Sequence, residues 1–309
     1  MNNYLLPIEQ MLLEPVEYYC NISGKNIRKQ ICNMFGNAYK IPPEYIENTI
    51  NLINIFHNSS LVIDDIEDNS TLRRNKYNAH IKYGIPLSLN AGYLSVFKLL
   101  DKFNKDPRFT QRIKNKIIEN IYLTHVGQGM DIYYTSKQIV PSLDEYYKMI
   151  EYKTGMLLLT MLDLTKEYIN KDKYDTLYLI LLKFSYFYQI RDDYINVTDP
   201  NYWVEKGFCQ DIDEQKISFI ITYCHNYKVK EYEKILNLLK KKDKINIIKL
   251  FYRNGVFGDI YNILFNLKNE IIESVIKENL LDMIKIFDEL PFNRFNIESI
   301  NPFKPQSSS

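Results

Sequence analysis

The chain has 309 residues with only 10 glycines and 11 prolines, and 46% of it is hydrophobic. That is enough for one large core, and the scarcity of turn residues favours long helices over a many-stranded sheet. Lys and Arg number 39 against 38 Asp and Glu, a net charge of +1, which excludes a general field for nucleic acid or an acidic membrane and makes the charges local in their action.

In chain order, Met1 to Pro15 lacks the basic start and apolar run of a signal peptide. No stretch of about 18 uninterrupted apolar residues predicts a membrane span. Ile41-Pro42-Pro43-Glu44 reads as a helix start, because proline's fixed φ and missing N–H are tolerated in a first turn. Ile46, Ile50, Ile53 and Phe56 then recur at helical spacing and predict a helix from Glu44 to Asp68. A polar loop is expected over 69–78. Helices are expected from Pro86 to just before Asp106, from Arg108 to Tyr134, from Leu143 to Leu164 and from Lys173 to Val197. Residues 199–215 read as a long polar loop, and more helices fill 216–290. No strand, repeat or linker is evident. The expectation is an all-α, single-domain helical bundle over 1–300, with 301–309 a disordered tail. Cys20, Cys32, Cys209 and Cys224 form no CxxC pair and no zinc spacing with histidine, which reads as reduced core thiols of a cytoplasmic protein.

Two acidic segments carry the chemistry. Asp64 and Asp68 stand four apart on the first long helix, with Asp65 alongside. Clustered carboxylates repel each other, and a hard divalent cation resolves the conflict, with waters and substrate phosphates completing its shell. Gln189, Asp192, Asp193 and Asn196 repeat the pattern at i, i+3, i+4 and i+7, amid Phe184, Tyr186, Phe187, Tyr188 and Ile190. Carboxylates on so apolar a helix are expected to face a cavity, since burying them unpaired is costly. One such cluster alone can be an ordinary solvated face; the pair argues for a metal site.

Metal beside carboxylates implies an anionic ligand, and a diphosphate also needs cations. The candidates are Lys25, Arg28, Arg73, Arg74, Lys153 with Thr154, Lys206 and Lys216. Each alone is an ordinary surface cation; their placement beside the acidic segments singles them out. His57, two turns before Asp64, is either a hydrogen-bonded core residue or a donor to a second diphosphate. His80, His125 and His225 have no evident partner. In Gly127-Gln128-Gly129-Met130-Asp131 two glycines interrupt a helical pattern at a cost of about 1 kcal/mol each, which implies close packing or access.

These segments resemble the trans-isoprenyl diphosphate synthases, and most closely the eukaryotic geranylgeranyl diphosphate synthases. The resemblance runs from about Leu13 to Phe265. It is carried by Gly24-Lys25-Asn26-Ile27-Arg28, by 57–74 with Asp64-Asp65-Ile66-Glu67-Asp68 and Arg73-Arg74, by Gly127 to Tyr133, by Lys153-Thr154-Gly155, and by Gln189 to Asn196. It implies a helical bundle around a deep central cavity, usually a homodimer, using magnesium, three ions per site. Asp64, Asp65 and Asp68 would hold the metal on the allylic diphosphate, with Asp192 opposite. Arg73, Lys153 and Lys216 would touch that diphosphate, with Lys206 and Gln189 near it. Lys25, Arg28, His57 and Arg74 would bind isopentenyl diphosphate, and Thr154 would face the reacting carbons.

The implied reaction is ionisation of the allylic C–O bond, attack by the isopentenyl double bond and loss of a proton, which needs no side-chain nucleophile. Ser59 and Ser60, small and just before Asp64, leave room for a product tail growing down the bundle, while Phe56 could limit its depth. C20 is the preferred product, with C15 behind it. Asn75 and Gln215 stand where the family usually has Gly, and Asn196 where the second motif often ends in Asp. The rivals are a terpene cyclase, which needs one diphosphate and no Lys25, Arg28, His57 and Arg74 cluster, and a non-catalytic synthase subunit, in which acidic residues should be lost.

Overall fold

A computed structural model of the chain describes residues 6–22, 24–227 and 229–297; the expected tail at 301–309 lies outside them. Helix α1 covers Leu6–Cys20, α2 Ile27–Tyr39 and α3 Pro43–Glu67, the last opening on prolines as its sequence requires. Tyr45, Ile46, Thr49, Ile50, Ile53 and Phe56 form the buried stripe of α3. Its C-terminal end delivers Asp64 and Asp68 one turn apart.

The expected loop at 69–78 contains a small antiparallel hairpin, β1 (Leu72–Arg73) and β2 (Lys76–Tyr77), paired Leu72 to Tyr77 and Arg73 to Lys76. Its two central residues, Arg74 and Asn75, have φ of 51° and 61°. Such a turn needs left-handed backbone at both positions, which explains how Asn serves at 75 where Gly would be easiest. Alternation over two residues per strand is too short a pattern to be read from sequence.

Beyond it come α4 (Ala79–Tyr83), α5 (Ile85–Lys105) and α6 (Gln111–Lys137). The single helix expected from Leu143 to Leu164 is instead α7 (Leu143–Ile150), a π turn over Glu151–Gly155, and α8 (Met156–Thr165). Ser142 and Glu145 form a reciprocal capping box at the start of α7. All ten residues of α8 are buried, as befits a helix apolar on every side. It packs against α3, α6 and the long α9 (Lys171–Thr198).

Residues 199–215 are not a plain loop: α10 (Pro200–Lys206) and α11 (Gln210–Asp213) fold there. Then follow α12 (Phe219–Asn226), α13 (Tyr232–Lys240), α14 (Lys244–Arg253), α15 (Val256–Lys277), which packs along α9, and α16 (Asp282–Ile286). The fold is all-α, as expected; Cys32, Cys209 and Cys224 are buried core thiols, but Cys20, at the last turn of α1, is exposed. Among the described residues no helix is long and apolar enough to cross a membrane.

Candidate active site

The C-terminal end of a helix carries partial negative charge, so Asp64 and Asp68 sit where carboxylates are least welcome. Cations compensate. Lys153 Nζ lies 3.5 Å from Asp64 Oδ1 and 2.5 Å from Asp131 Oδ2, while Arg73 Nη2 lies 3.4 Å from Asp64 Oδ2. Burial pushes the Asp64 carboxyl up, but Lys153, Arg73, Lys216 and Lys206 outweigh it and hold it at about 2. Asp68 goes the other way: burial and the Asp64 charge push it up to about 7. Its carboxylate makes no hydrogen bond or ion pair among the described residues.

Asp65 has a different task from its neighbours. It is 1% exposed, and its oxygens are taken by Arg73 Nη2 at 2.5 Å, Arg73 Nε at 2.7 Å, Ser70 Oγ at 2.9 Å and the Tyr19 hydroxyl. Asp64 and Asp68, four apart, share one helix face, and Asp65 beside them turns to the hairpin instead.

The second segment divides in the same way. Asp192 Oδ2 accepts from the Tyr202 hydroxyl at 3.0 Å on α10. Asp193 is 2% exposed and accepts from Tyr146 Oη at 2.6 Å, the Phe219 N–H at 2.7 Å and Gln189 Nε2 at 3.0 Å. Gln189 Oε1 also accepts from Thr154 Oγ1 at 2.9 Å, so Gln189 orients Thr154 and Asp193 together. Asn196 is buried and structural: its Oδ1 accepts the Asp211 N–H at 3.2 Å and its carbonyl accepts Trp203 Nε1 at 2.8 Å.

The π turn places Lys153 and Thr154. The Met156 N–H donates back to Glu151 O, widening the helix by one residue. Gly127 on α6 makes this approach possible, since an added Cβ there would lie 2.2 Å from Lys153 N; around Gly129 there is open space. Of the two conspicuous glycines, then, only Gly127 is demanded by packing.

Lys216 joins the two acidic segments. Burial alone would lower its pKa, but Asp211, Asp131, Asp193 and Asp68 hold it well above the usual lysine range. The preceding Gln215 has φ of 55°, held by Gln138 Nε2 on its carbonyl at 2.9 Å and by its own Nε2 on Lys240 O at 2.9 Å. The turn therefore survives the loss of Gly. Lys206 ends α10 and contributes to lowering Asp64. Asp131 and Asp211 belong to the site but carry no role in the sequence reading. Asp131 stands in the segment whose two glycines draw the attention, and Asp211 in the stretch 199–215 that reads as a loop.

A second group of cations gathers between α1, α2, α3 and the hairpin. Arg28 Nη1 lies 3.0 Å from His57 Nε2. Arginine only donates, so His57 Nε2 accepts and its proton sits on Nδ1. Burial together with Arg28, Arg73 and Arg74 holds His57 well below the usual histidine range, keeping it neutral. Arg28 Nε is buried without a partner. Arg74 Nη1 donates to Ile22 O at 2.9 Å, and its guanidinium lies against Gly24, where a Cβ would be 2.7 Å from Arg74 Cζ. Lys25 is exposed at the rim, with Arg191, Glu205, Asp192 and Glu289 in its electrostatic surroundings. Cations concentrated without carboxylate partners call for an anion.

Below the acidic segment of α3 lies a small apolar cavity of about 20 Å³, lined by Leu52 and Phe56 of α3, Leu99 and Phe103 of α5, Ile121 of α6 and Leu164 of α8, among others. Ser59 and Ser60 turn their hydroxyls onto their own helix, to Ile55 O at 2.7 Å and His57 O at 2.8 Å, so neither presents a polar obstacle.

The donor set fits a divalent metal. Asp68 is an uncommitted carboxylate beside a second one, on a helix end that repels both. Among the described residues no three His, Cys, Asp or Glu side chains form a ready-made cage.

A helical bundle with paired carboxylates, two groups of cations and an apolar interior defines an enzyme of the prenyltransferase class, acting on diphosphates. The polyprenyl synthetase family model matches residues 9–254. The chain is 37% identical to a geranylgeranyl pyrophosphate synthase of Dictyostelium discoideum, over 77% of this chain and 77% of that one. It is 36% identical to a geranylgeranyl pyrophosphate synthase of Rhodocybe pseudopiperita, over 68% of this chain and 62% of that one. It is 33% identical to the bifunctional sesterterpene synthase astC of Talaromyces wortmannii, over 70% of this chain but 28% of that one. The matched region thus spans less than two thirds of the second relative and under a third of the last. The chain belongs to the polyprenyl synthetase family and is a trans-prenyltransferase; divalent metal use is implied by that family.

Proposed function

We propose that the protein condenses isopentenyl diphosphate with farnesyl diphosphate to give the C20 geranylgeranyl diphosphate, as the printed names of its relatives in Dictyostelium and Rhodocybe describe for those proteins. The observation that carries this reading is the presence of two separate cationic stations. One faces Asp64 and Asp68 with Lys153, Lys216 and Lys206. The other, with Lys25, Arg28, His57 and Arg74, makes no salt bridge with a carboxylate among the described residues. A cyclase acting on one diphosphate has no use for the second.

Asp64, Asp68 and Asp192 are the proposed ligands of magnesium, three ions per site, which when bound supply positive charge beside the departing diphosphate. Arg73, Lys153 and Lys216 neutralise that diphosphate from the protein side, with Lys206 and Gln189 close by. Lys25, Arg28, His57 and Arg74 hold the second diphosphate so that its double bond points at the allylic carbon. Gln189 orients the Thr154 hydroxyl toward the reacting carbons. The apolar walls exclude water that would quench the cation.

A homodimer is supported by Tyr93 and Phe97 of α5 and Ile118 and Tyr122 of α6, all exposed aromatic or aliphatic side chains. The four free thiols support a reducing, cytoplasmic location. Residues 1–300 are proposed as one domain.

Chain-length analysis tests the reading. Dimethylallyl, geranyl and farnesyl diphosphates are offered in turn with isopentenyl diphosphate and magnesium. The expected end product from each is C20. Accumulation of C15 would move the assignment to farnesyl diphosphate synthesis. A cyclic hydrocarbon from farnesyl diphosphate alone would refute the synthase.

A further inference from the structure

Tyr19 stands one residue from the end of α1, 2% exposed, outside both diphosphate stations. Its hydroxyl donates to Asp65 Oδ2 and accepts the Ala79 N–H at 3.2 Å. Asp65 in turn holds Arg73 and Ser70, and Asn78 Nδ2 donates to the Ser70 hydroxyl and carbonyl at 2.8 Å each. One phenol therefore fastens α1 to α3, to the hairpin and to the start of α4. Three residues on, Ile22 O accepts Arg74; Gly24 then admits the Arg74 guanidinium, and Lys25 and Arg28 follow. The segment leaving Tyr19 thus carries two of the three cations of the second station, Lys25 and Arg28, and receives the third, Arg74. The ring itself packs with Val16, Ile22, Val62, Ala79 and Ala91, so a phenylalanine keeps the packing and loses only the hydroxyl.

We propose that Tyr19 is a positioning residue that locks the isopentenyl-side cations onto the Asp64–Asp65 segment, keeping the two diphosphates in register. The inference rests on the two-substrate reading above. Among the described residues no other hydrogen bond ties the end of α1 to Asp65, and a small misplacement of a binding station is enough to cost about one to two orders of magnitude.

The test compares Tyr19→Phe with Tyr45→Phe. Tyr45 also donates from a buried position, to Leu164 O at 2.5 Å, but at the far end of α3. Tyr19→Phe is expected to raise KM for isopentenyl diphosphate about tenfold and to leave KM for the allylic diphosphate within about twofold. Calorimetric binding of isopentenyl diphosphate to the metal-free protein should weaken by the same factor. Tyr45→Phe is expected to lower Tm to a similar degree and move neither KM. Equal changes in both KM values for Tyr19→Phe, or none, would overturn the positioning role. A wild-type protein that forms no prenyl product from the two substrates would instead defeat the functional reading and take this inference with it.

Discussion

The two acidic segments look alike in sequence and are held in place by different physics. On both α3 and α9 the first Asp of the pair, Asp64 or Asp192, is directed to the site, and the second is buried against a tyrosine hydroxyl, Tyr19 or Tyr146. Asp65, however, is neutralised by Arg73, whereas Asp193 has only neutral donors in contact, and burial pushes its carboxyl up. The first segment is thus a charge pair that brings a basic hairpin with it. The second is a hydrogen-bonded anchor for the helix, and its neighbouring cation, Lys216, acts through space on several carboxylates at once. One motif can serve two purposes because only one of its two adjacent residues can face the site.

The largest effect is expected from the residues that do face the site. Asp64→Ala should cut turnover by about three orders of magnitude or more, because charge beside the leaving group is lost, while the fold remains. Initial rates and a thermal melt check this; near-normal rates would remove Asp64 from the proposed metal set. The buried partners should separate in stability rather than in rate. Asp65→Asn leaves the buried Arg73 with only its 3.4 Å contact to Asp64 and should cost about 3–5 kcal/mol, whereas Asp193→Asn keeps one amide oxygen for Tyr146 and the Phe219 N–H, loses the Gln189 contact and should cost about 1 kcal/mol. Equal shifts of the denaturation midpoint in the two variants would break the comparison.

A pH effect sharpens it further. Asp68 has a raised pKa of about 7 in the folded protein against an ordinary 3.8, and its counterpart, Asn196, cannot titrate. An acid whose folded pKa is raised favours the folded state most at low pH, so this contribution is lost as pH rises from about 4 through 7. A divalent cation needs the ionised form. Apparent metal affinity should therefore rise up to tenfold per unit as pH approaches about 7 and then flatten. Calorimetry across that range reads it directly, and Asp68→Asn should abolish the slope. The smallest effect concerns the hairpin that only the first segment possesses. Asn75→Gly removes a left-handed Asn and should stabilise the protein by about 0.5–1 kcal/mol, seen as a small rise in Tm.

Much was legible before any coordinates. Period-3.6 apolar stripes predicted α3, α5, α6 and α9 to within a few residues, because long amphipathic helices declare themselves locally. The break at 151–155 did not, since a π turn has no composition of its own and depends on Gly127 letting α6 approach. Helices α10 and α11 were hidden in a polar stretch, for they are short and stabilised by packing and caps.

By itself the sequence determined the helical class, the two acidic clusters and the list of cations, since periodicity and residue chemistry are properties of the chain alone. Only the tertiary structure decided which carboxylate of each pair is available, which cations stand unpaired, and that Asp131, Asp211, Tyr19 and Tyr146 belong with them. The reason is physical: a side chain's charge is fixed by its atoms, but its partner is chosen by residues far along the chain, as Leu164 is 119 positions from Tyr45, that the fold brings within a hydrogen bond.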